Sequence, residues 1–166
     1  MCRLGATVTG IDASEETVAV AAAHAAAMGL DIAYRRAAPE TFAAESRRFD
    51  AVLALEVVEH AADMDAFLGA CAALLAPGGC IVLSTLNRTL KSLALGKIGA
   101  EYVLRWVPPG THDWRKFVKP SELVGGLRHV GVEVTDLAGM SFDPASGDWT
   151  LSRDLDVNYL AFGVPC

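Results

Sequence analysis

The chain has 166 residues, enough for one domain (residues 1–166) with a single substantial core. Hydrophobic residues make up 52% and charged residues 20%, a balance that excludes a disordered chain, and the net charge of −6 gives no bulk attraction to nucleic acid. No stretch has the length of a membrane span, the start lacks the order of a signal peptide, and Cys2, Cys71, Cys80 and Cys166 form no CxxC pair, which fits a reducing cytoplasm.

Ala6 to Ile11 is short, β-branched and bounded by turn residues, so a strand is expected there, ending at Asp12. Ser14 is placed to cap a helix with Glu15 and Glu16 in its first turn, continued by the alanine run to Ala27 and closed by Gly29. Ile32 to Arg35 is a second strand, and Ala37 to Glu45 a loop with a short helix. Phe49 to Leu55 is a nearly continuous apolar run, the pattern of a strand covered on both faces. A helix starting at Asp63 or Asp65 runs to Leu75 and is stopped by Ala76-Pro77-Gly78-Gly79. Cys80 to Leu86 is another buried strand, and Thr89 to Trp106 is helical up to Pro108-Pro109.

Pro120-Ser121-Glu122-Leu123 opens a helix that reaches Val130 and halts at Gly131. Val132 to Met140 and Asp156 to Val164 read as extended strands. Turn chemistry at Asp143-Pro144 and Ser146-Gly147-Asp148 between them predicts an antiparallel pair. Strand and helix alternate until that pair. The fold expected is therefore α/β, Rossmann-like, with a mostly parallel sheet and a final antiparallel strand.

Open α/β sheets place ligands at the carboxyl ends of their strands. Asp12 lies at such an end, where a carboxylate either holds the two hydroxyls of a ribose or caps the following helix. Glu56, Glu59 and His60 follow the next apolar strand. If a helical turn begins at Glu56, the three share one face, suited to a divalent cation, while His60 alone suits a general base near neutral pH. Asn87, Arg88, His112 and Asp113 are candidates for a substrate pocket, with Tyr102, Trp106 and Trp114 as apolar cover. Residues 88–107 are locally basic and amphipathic, with Leu95, Ile98, Tyr102 and Trp106 at helical spacing, a pattern that fits either an anionic membrane surface or a helix packed on the sheet.

Gly5 to Asp12, Glu56…Glu59-His60, Pro77-Gly78-Gly79, Ser84 to Arg88, Gly99 to Tyr102, Pro109 to Asp113 and Asp156 to Tyr159 together resemble one family. The chain is similar to the ubiquinone-biosynthesis O-methyltransferases, within the class I S-adenosylmethionine-dependent methyltransferases. The resemblance implies O-methylation of polyprenylated catechol and demethylubiquinol intermediates. It implies that Asp12 holds the ribose of S-adenosylmethionine, Leu55 lines the cofactor site, and Ala37 and Ala38 approach the adenine. It further implies Mg2+ bound by Glu56, Glu59 and His60, with Glu56 and His60 as catalytic groups. Residues 87–112 match a region of lipid contact, so peripheral attachment to the inner face of the membrane, and membership of a ubiquinone-biosynthesis complex, are also expected. The alternatives within that expectation are another small phenolic substrate or a catalytically inactive scaffold.

The family carries an Asp-x-Gly-x-Gly-x-Gly loop after a first strand, and no such glycine loop occurs in these residues. The domain is therefore expected to lack that strand and loop at its N-terminal side. Strands next to the gap should be left without a neighbour, and binding of S-adenosylmethionine by this chain alone should be weak.

Overall fold

A computed structural model describes residues 1–94, 113–143 and 146–166. The chain forms two compact units, Met1–Ser46 and Arg47–Cys166. Leu95, Ile98, Tyr102, Trp106, His112 and most of the amphipathic 88–107 stretch lie outside the described residues.

In the first unit, β1 (Val8–Asp12) runs parallel to β2 (Ile32–Arg36), with Val8 opposite Ile32 and Asp12 opposite Arg36. The crossover between them is α1 (Glu15–Ala27), which begins as expected: the Ser14 hydroxyl accepts the Thr17 N–H at 3.2 Å. A short helix, α2 (Pro39–Ala43), follows, with proline in its first turn. Arg35 pairs with Glu45 through two hydrogen bonds of 2.6 and 2.7 Å, which ties the end of this segment to β2.

The second unit is a five-stranded sheet in the order β3-β4-β7-β5-β6. Its strands are β3 (Phe49–Leu55), β4 (Leu75–Leu86), β5 (Val132–Asp143), β6 (Asp148–Ser152) and β7 (Asn158–Pro165). β3 and β4 are parallel, and β7 is antiparallel to both β4 and β5. β3, β4 and β5 therefore share one direction and the last strand opposes them, as the alternation of elements predicts. Helix α3 (Met64–Ala73) connects β3 to β4, with the Asp63 carboxylate accepting the Ala66 N–H at 3.0 Å. Among the described residues, β4 is followed by a helical turn, α4 (Leu90–Ser92), a 3₁₀ turn (Trp114–Lys116) and α5 (Pro120–His129). Gly29 and Gly131, beyond the ends of α1 and α5, adopt φ of 63° and 78°, the left-handed conformation that ends helices.

The core lies against one face of this sheet. Phe67, Leu68 and Cys71 of α3 and Leu123 and Leu127 of α5 pack with Ile81, Leu83, Val132 and Tyr159. Leu123 and Leu127, four residues apart, are both fully buried, each contributing about 1.5–3 kcal/mol by leaving water. The cysteines form no disulfide, and Cys71 acts as a small core hydrophobe.

Three expectations change. β3 is not covered on both faces: Val52 and Ala54 meet the core, whereas Leu53 and Leu55 are 48% and 50% exposed. β3 is an edge strand, with β4 its one strand neighbour among the described residues. β4 begins at Leu75 rather than Cys80, because Leu75 already pairs with Phe49 before a register shift carries the chain to the Ala51–Cys80 pair. β5 and β7 do form the expected antiparallel pair, but the chain does not pass directly from one to the other: an additional strand, β6, intervenes and pairs with β5 from Asp143–Asp148 to Gly139–Ser152.

Candidate functional site

Asp12 ends β1, and its Oδ1 accepts the Ser14 N–H at 2.7 Å. Asp12 therefore does not cap α1, whose N-cap is Ser14, but holds the main chain of the turn that leads into it. The main chain beside it ties the two strand ends together, since the Ala37 N–H donates to the Asp12 carbonyl at 3.0 Å. Ala38 follows in extended conformation as the N-cap of α2. Asp12, Ala37 and Ala38 therefore gather at the carboxyl ends of β1 and β2, the location expected of them.

In the second unit the carboxyl ends of β3 and β4 carry the ionisable groups. Leu55 is the last residue of β3, and Glu56 turns the chain sharply with φ of 54°, a left-handed conformation costly for a non-glycine residue. Its N–H donates to both the carbonyl and the Oγ of Ser84, each at 3.0 Å. The Ser84 hydroxyl donates back to Glu56 Oε1 at 2.9 Å. One side chain of β4 thus grips both the main chain and the carboxylate of Glu56.

The next hydroxyl on β4, that of Thr85, donates to Glu59 Oε2 at 2.8 Å. Glu59 is only 4% exposed, and its Oε1 has no hydrogen-bond partner among the described residues. Glu56 as a residue is exposed, yet its carboxyl sits among enough protein to be pushed up to about 7. Burial is the largest cause, followed by the negative charge of Glu59, while the Ser84 hydrogen bond works in the opposite direction. Beneath them Tyr159 is fully buried, its hydroxyl donating to the Val118 carbonyl at 3.0 Å. Burial, then the charges of Glu122, Glu59 and Glu56, push its phenol upward, so it remains protonated.

The helical spacing expected of Glu56, Glu59 and His60 does not form. Glu56 is left-handed, and only Val58–His60 make a 3₁₀ turn, which buries Glu59 and exposes His60. Among the described residues no three His, Cys, Asp or Glu side chains gather closely enough to hold a metal ion. The donor set thus does not fit the three-ligand Mg2+ site that the family resemblance implies.

The other pocket candidates are engaged in holding the chain. Asn87 donates to the Leu155 carbonyl at 2.8 Å, Arg88 pairs with Glu122, and Asp113 accepts the Arg115 N–H at 3.1 Å. Trp114 donates its indole N–H to the Thr89 carbonyl at 2.9 Å. No helix among the described residues is long and apolar enough to cross a membrane.

Ser84 and Thr85 entered the sequence reading only within the Ser84–Arg88 stretch of the family resemblance and were given no role in the site. The signal lay in two consecutive hydroxyls at the end of an otherwise apolar strand. Buried there, they need acceptors, and the carboxylates after the neighbouring strand are those acceptors.

A family model described as a methyltransferase domain matches residues 1–83. The ubiquinone biosynthesis O-methyltransferase of Caulobacter sp. (strain K31) is 56% identical over 161 residues, covering 96% of this chain and 64% of the relative. That of Dinoroseobacter shibae is 53% identical over 165 residues, covering 99% and 66%. The chain thus spans just under two thirds of the length of these relatives. Magnesium protoporphyrin IX methyltransferase from Synechocystis PCC 6803, with bound SAH, superposes with a TM-score of 0.67 at 20% identity, over 99% of this chain and 66% of that one. At that identity the likeness concerns the fold alone, and the fold is that of the class I methyltransferases.

Proposed function

Because this chain belongs to the methyltransferase-domain family, we propose that it works as one domain transferring a methyl group from S-adenosylmethionine to a hydroxyl of polyprenylated catechol and demethylubiquinol intermediates on the route to ubiquinone. The observation that carries this reading is the 56% identity, over nearly the whole chain, with a relative named for that biosynthesis. When bound, S-adenosylmethionine supplies an electrophilic methyl group on its sulfonium. The protein has to align the acceptor oxygen and remove its proton.

In this reading the Asp12 carboxylate accepts hydrogen bonds from the ribose hydroxyls, and Ala37 and Ala38 lie against the adenine. Leu55 supplies apolar lining. Glu56 is the general base: with a carboxyl pushed up to about 7, it is ionised enough near neutral pH to accept the phenolic proton and basic enough to draw it. Ser84 holds that carboxylate in place by donating to its Oε1. His60, exposed beside the 3₁₀ turn, is the second candidate base. Residues 88–107 provide contact with the membrane that holds the isoprenoid substrate, which places the protein peripherally on the inner face and within reach of the other enzymes of the pathway.

The test is acceptor preference at high donor concentration. Methylated product from a polyprenylated catechol, in excess over product from a water-soluble catechol, is the expected result. Methylation of the soluble acceptor alone overturns the substrate assignment, and methylation of neither overturns the reading.

A further inference from the structure

β6 is the outer strand of the five-stranded sheet, and β5 is its one strand neighbour among the described residues. Edge strands in monomeric proteins are normally protected by a lysine, a proline, a bulge or a covering element. Asp148-Trp149-Thr150-Leu151-Ser152 contains neither lysine nor proline, pairs with β5 without a register shift, and is exposed along most of its length. Trp149 is 55% and Leu151 72% exposed. They lie on one face of the hairpin with their cross-strand neighbours Phe142 and Met140, and the Phe142 and Trp149 rings are 5.2 Å apart.

We propose that β6 pairs antiparallel with β6 of a second copy of this chain, about a two-fold axis through Thr150. The strand is self-complementary in that register. Trp149 falls opposite Leu151 of the second copy, and Leu151 opposite its Trp149, on the same face. Each apolar row then continues across four strands as Met140, Leu151, then Trp149 and Phe142 of the other chain. On the opposite face Thr150 meets Thr150, a cross-strand pair that favours antiparallel sheets. Asp148 meets Ser152, so no like charges stand directly opposite each other. Registers that match residues of unlike parity put Trp149 on the wrong face, and axes through Trp149 or Leu151 set Leu151 opposite Gly147 or Trp149 opposite Arg153, so the axis through Thr150 is the one that pairs both apolar side chains with each other.

Five residues per copy bury less than the ~1,600 Å² of a standard interface, so the dimer is weak and in concentration-dependent exchange with monomer. Sedimentation of the full chain should show monomer passing to dimer in the micromolar range. Leu151→Lys, at an exposed position, should weaken association by about tenfold or more. In a background with Cys2 and Cys166 changed to Ser, Thr150→Cys should form a disulfide-linked dimer on mild oxidation, because directly opposed antiparallel residues have Cα atoms about 4.5–5.5 Å apart, within disulfide reach. Absence of that cross-link overturns the proposal, as does a chain that stays monomeric at high concentration or dimerises equally well with Leu151→Lys. These readouts need no turnover and are independent of the activity proposed above.

Discussion

The Ser84 side chain holds Glu56 twice, donating its hydroxyl to Oε1 at 2.9 Å and accepting the Glu56 N–H at 3.0 Å. The clamp closes on a residue whose φ of 54° a non-glycine residue adopts only when its surroundings impose it. Replacing Ser84 by Ala removes both contacts from a buried position. A loss of about 1–3 kcal/mol in unfolding free energy is expected, measured by denaturant titration, and Ser84→Thr should restore part of it. An unchanged midpoint in Ser84→Ala would show that the clamp does not hold the turn.

Thr85 is fully buried and donates a hydrogen bond to Glu59 Oε2, while Oε1 of the same carboxylate has no hydrogen-bond partner among the described residues. Thr85→Val keeps the shape and removes the donor. It should cost about 1–3 kcal/mol, since a buried carboxylate is then left with neither oxygen satisfied. Thermal unfolding of Thr85→Val beside the double variant Thr85→Val, Glu59→Leu tests this. The double variant should be the more stable of the two.

Glu56 titrates at its ordinary value of 4.5 when unfolded and near 7 when folded, because burial and the Glu59 charge disfavour its ionised form. Between these values the folded state binds the extra proton. Its contribution to stability is therefore present in full below 4.5 and is lost as pH rises through about 7. Relative to Glu56→Gln, which does not titrate, the natural chain should lose stability steadily across that interval. Parallel stability curves for the two proteins would contradict the shift.

At Gly139 of β5 an added Cβ would lie 1.7 Å from the Asp154 carbonyl oxygen. Main chain cannot move aside as a flexible side chain does, so Gly139→Ala should destabilise the unit by about 1–3 kcal/mol. Hydrogen exchange should show protection lost first along β5 and the segment after β6. Uniform protection would indicate that the strand absorbs the methyl group.

Features governed by local chemistry were legible in the sequence. Ser14, Asp63 and Pro120 start helices because each either supplies an acceptor to the first turn or dispenses with an N–H there, and both properties belong to the residue itself. Three other features depended on what lies across space. A continuous apolar run such as Phe49–Leu55 reads the same whether one face or both are covered, so the run itself did not mark the bare face holding Leu53 and Leu55, although the missing glycine-loop strand predicted exposed apolar surface beside the gap. β6 is five residues long and mostly exposed, with turn residues at its start that fit a plain loop equally well. The left-handed conformation of Glu56 carried no signal because glycine, the usual marker, is absent there. That one residue decided the geometry of the site: with Glu56 out of the helical turn, the face shared with Glu59 and His60 never forms, and Ser84 takes its place as the partner.

Glu56 is the base proposed to take the acceptor's proton. The decisive measurement is the rate of methyl transfer from S-adenosylmethionine to a polyprenylated catechol by the natural chain and by Glu56→Gln, with the KM for the methyl donor determined for both. A fall in kcat of about 10²–10⁴-fold with the donor KM unchanged is predicted. Equal kcat in the two proteins would contradict it.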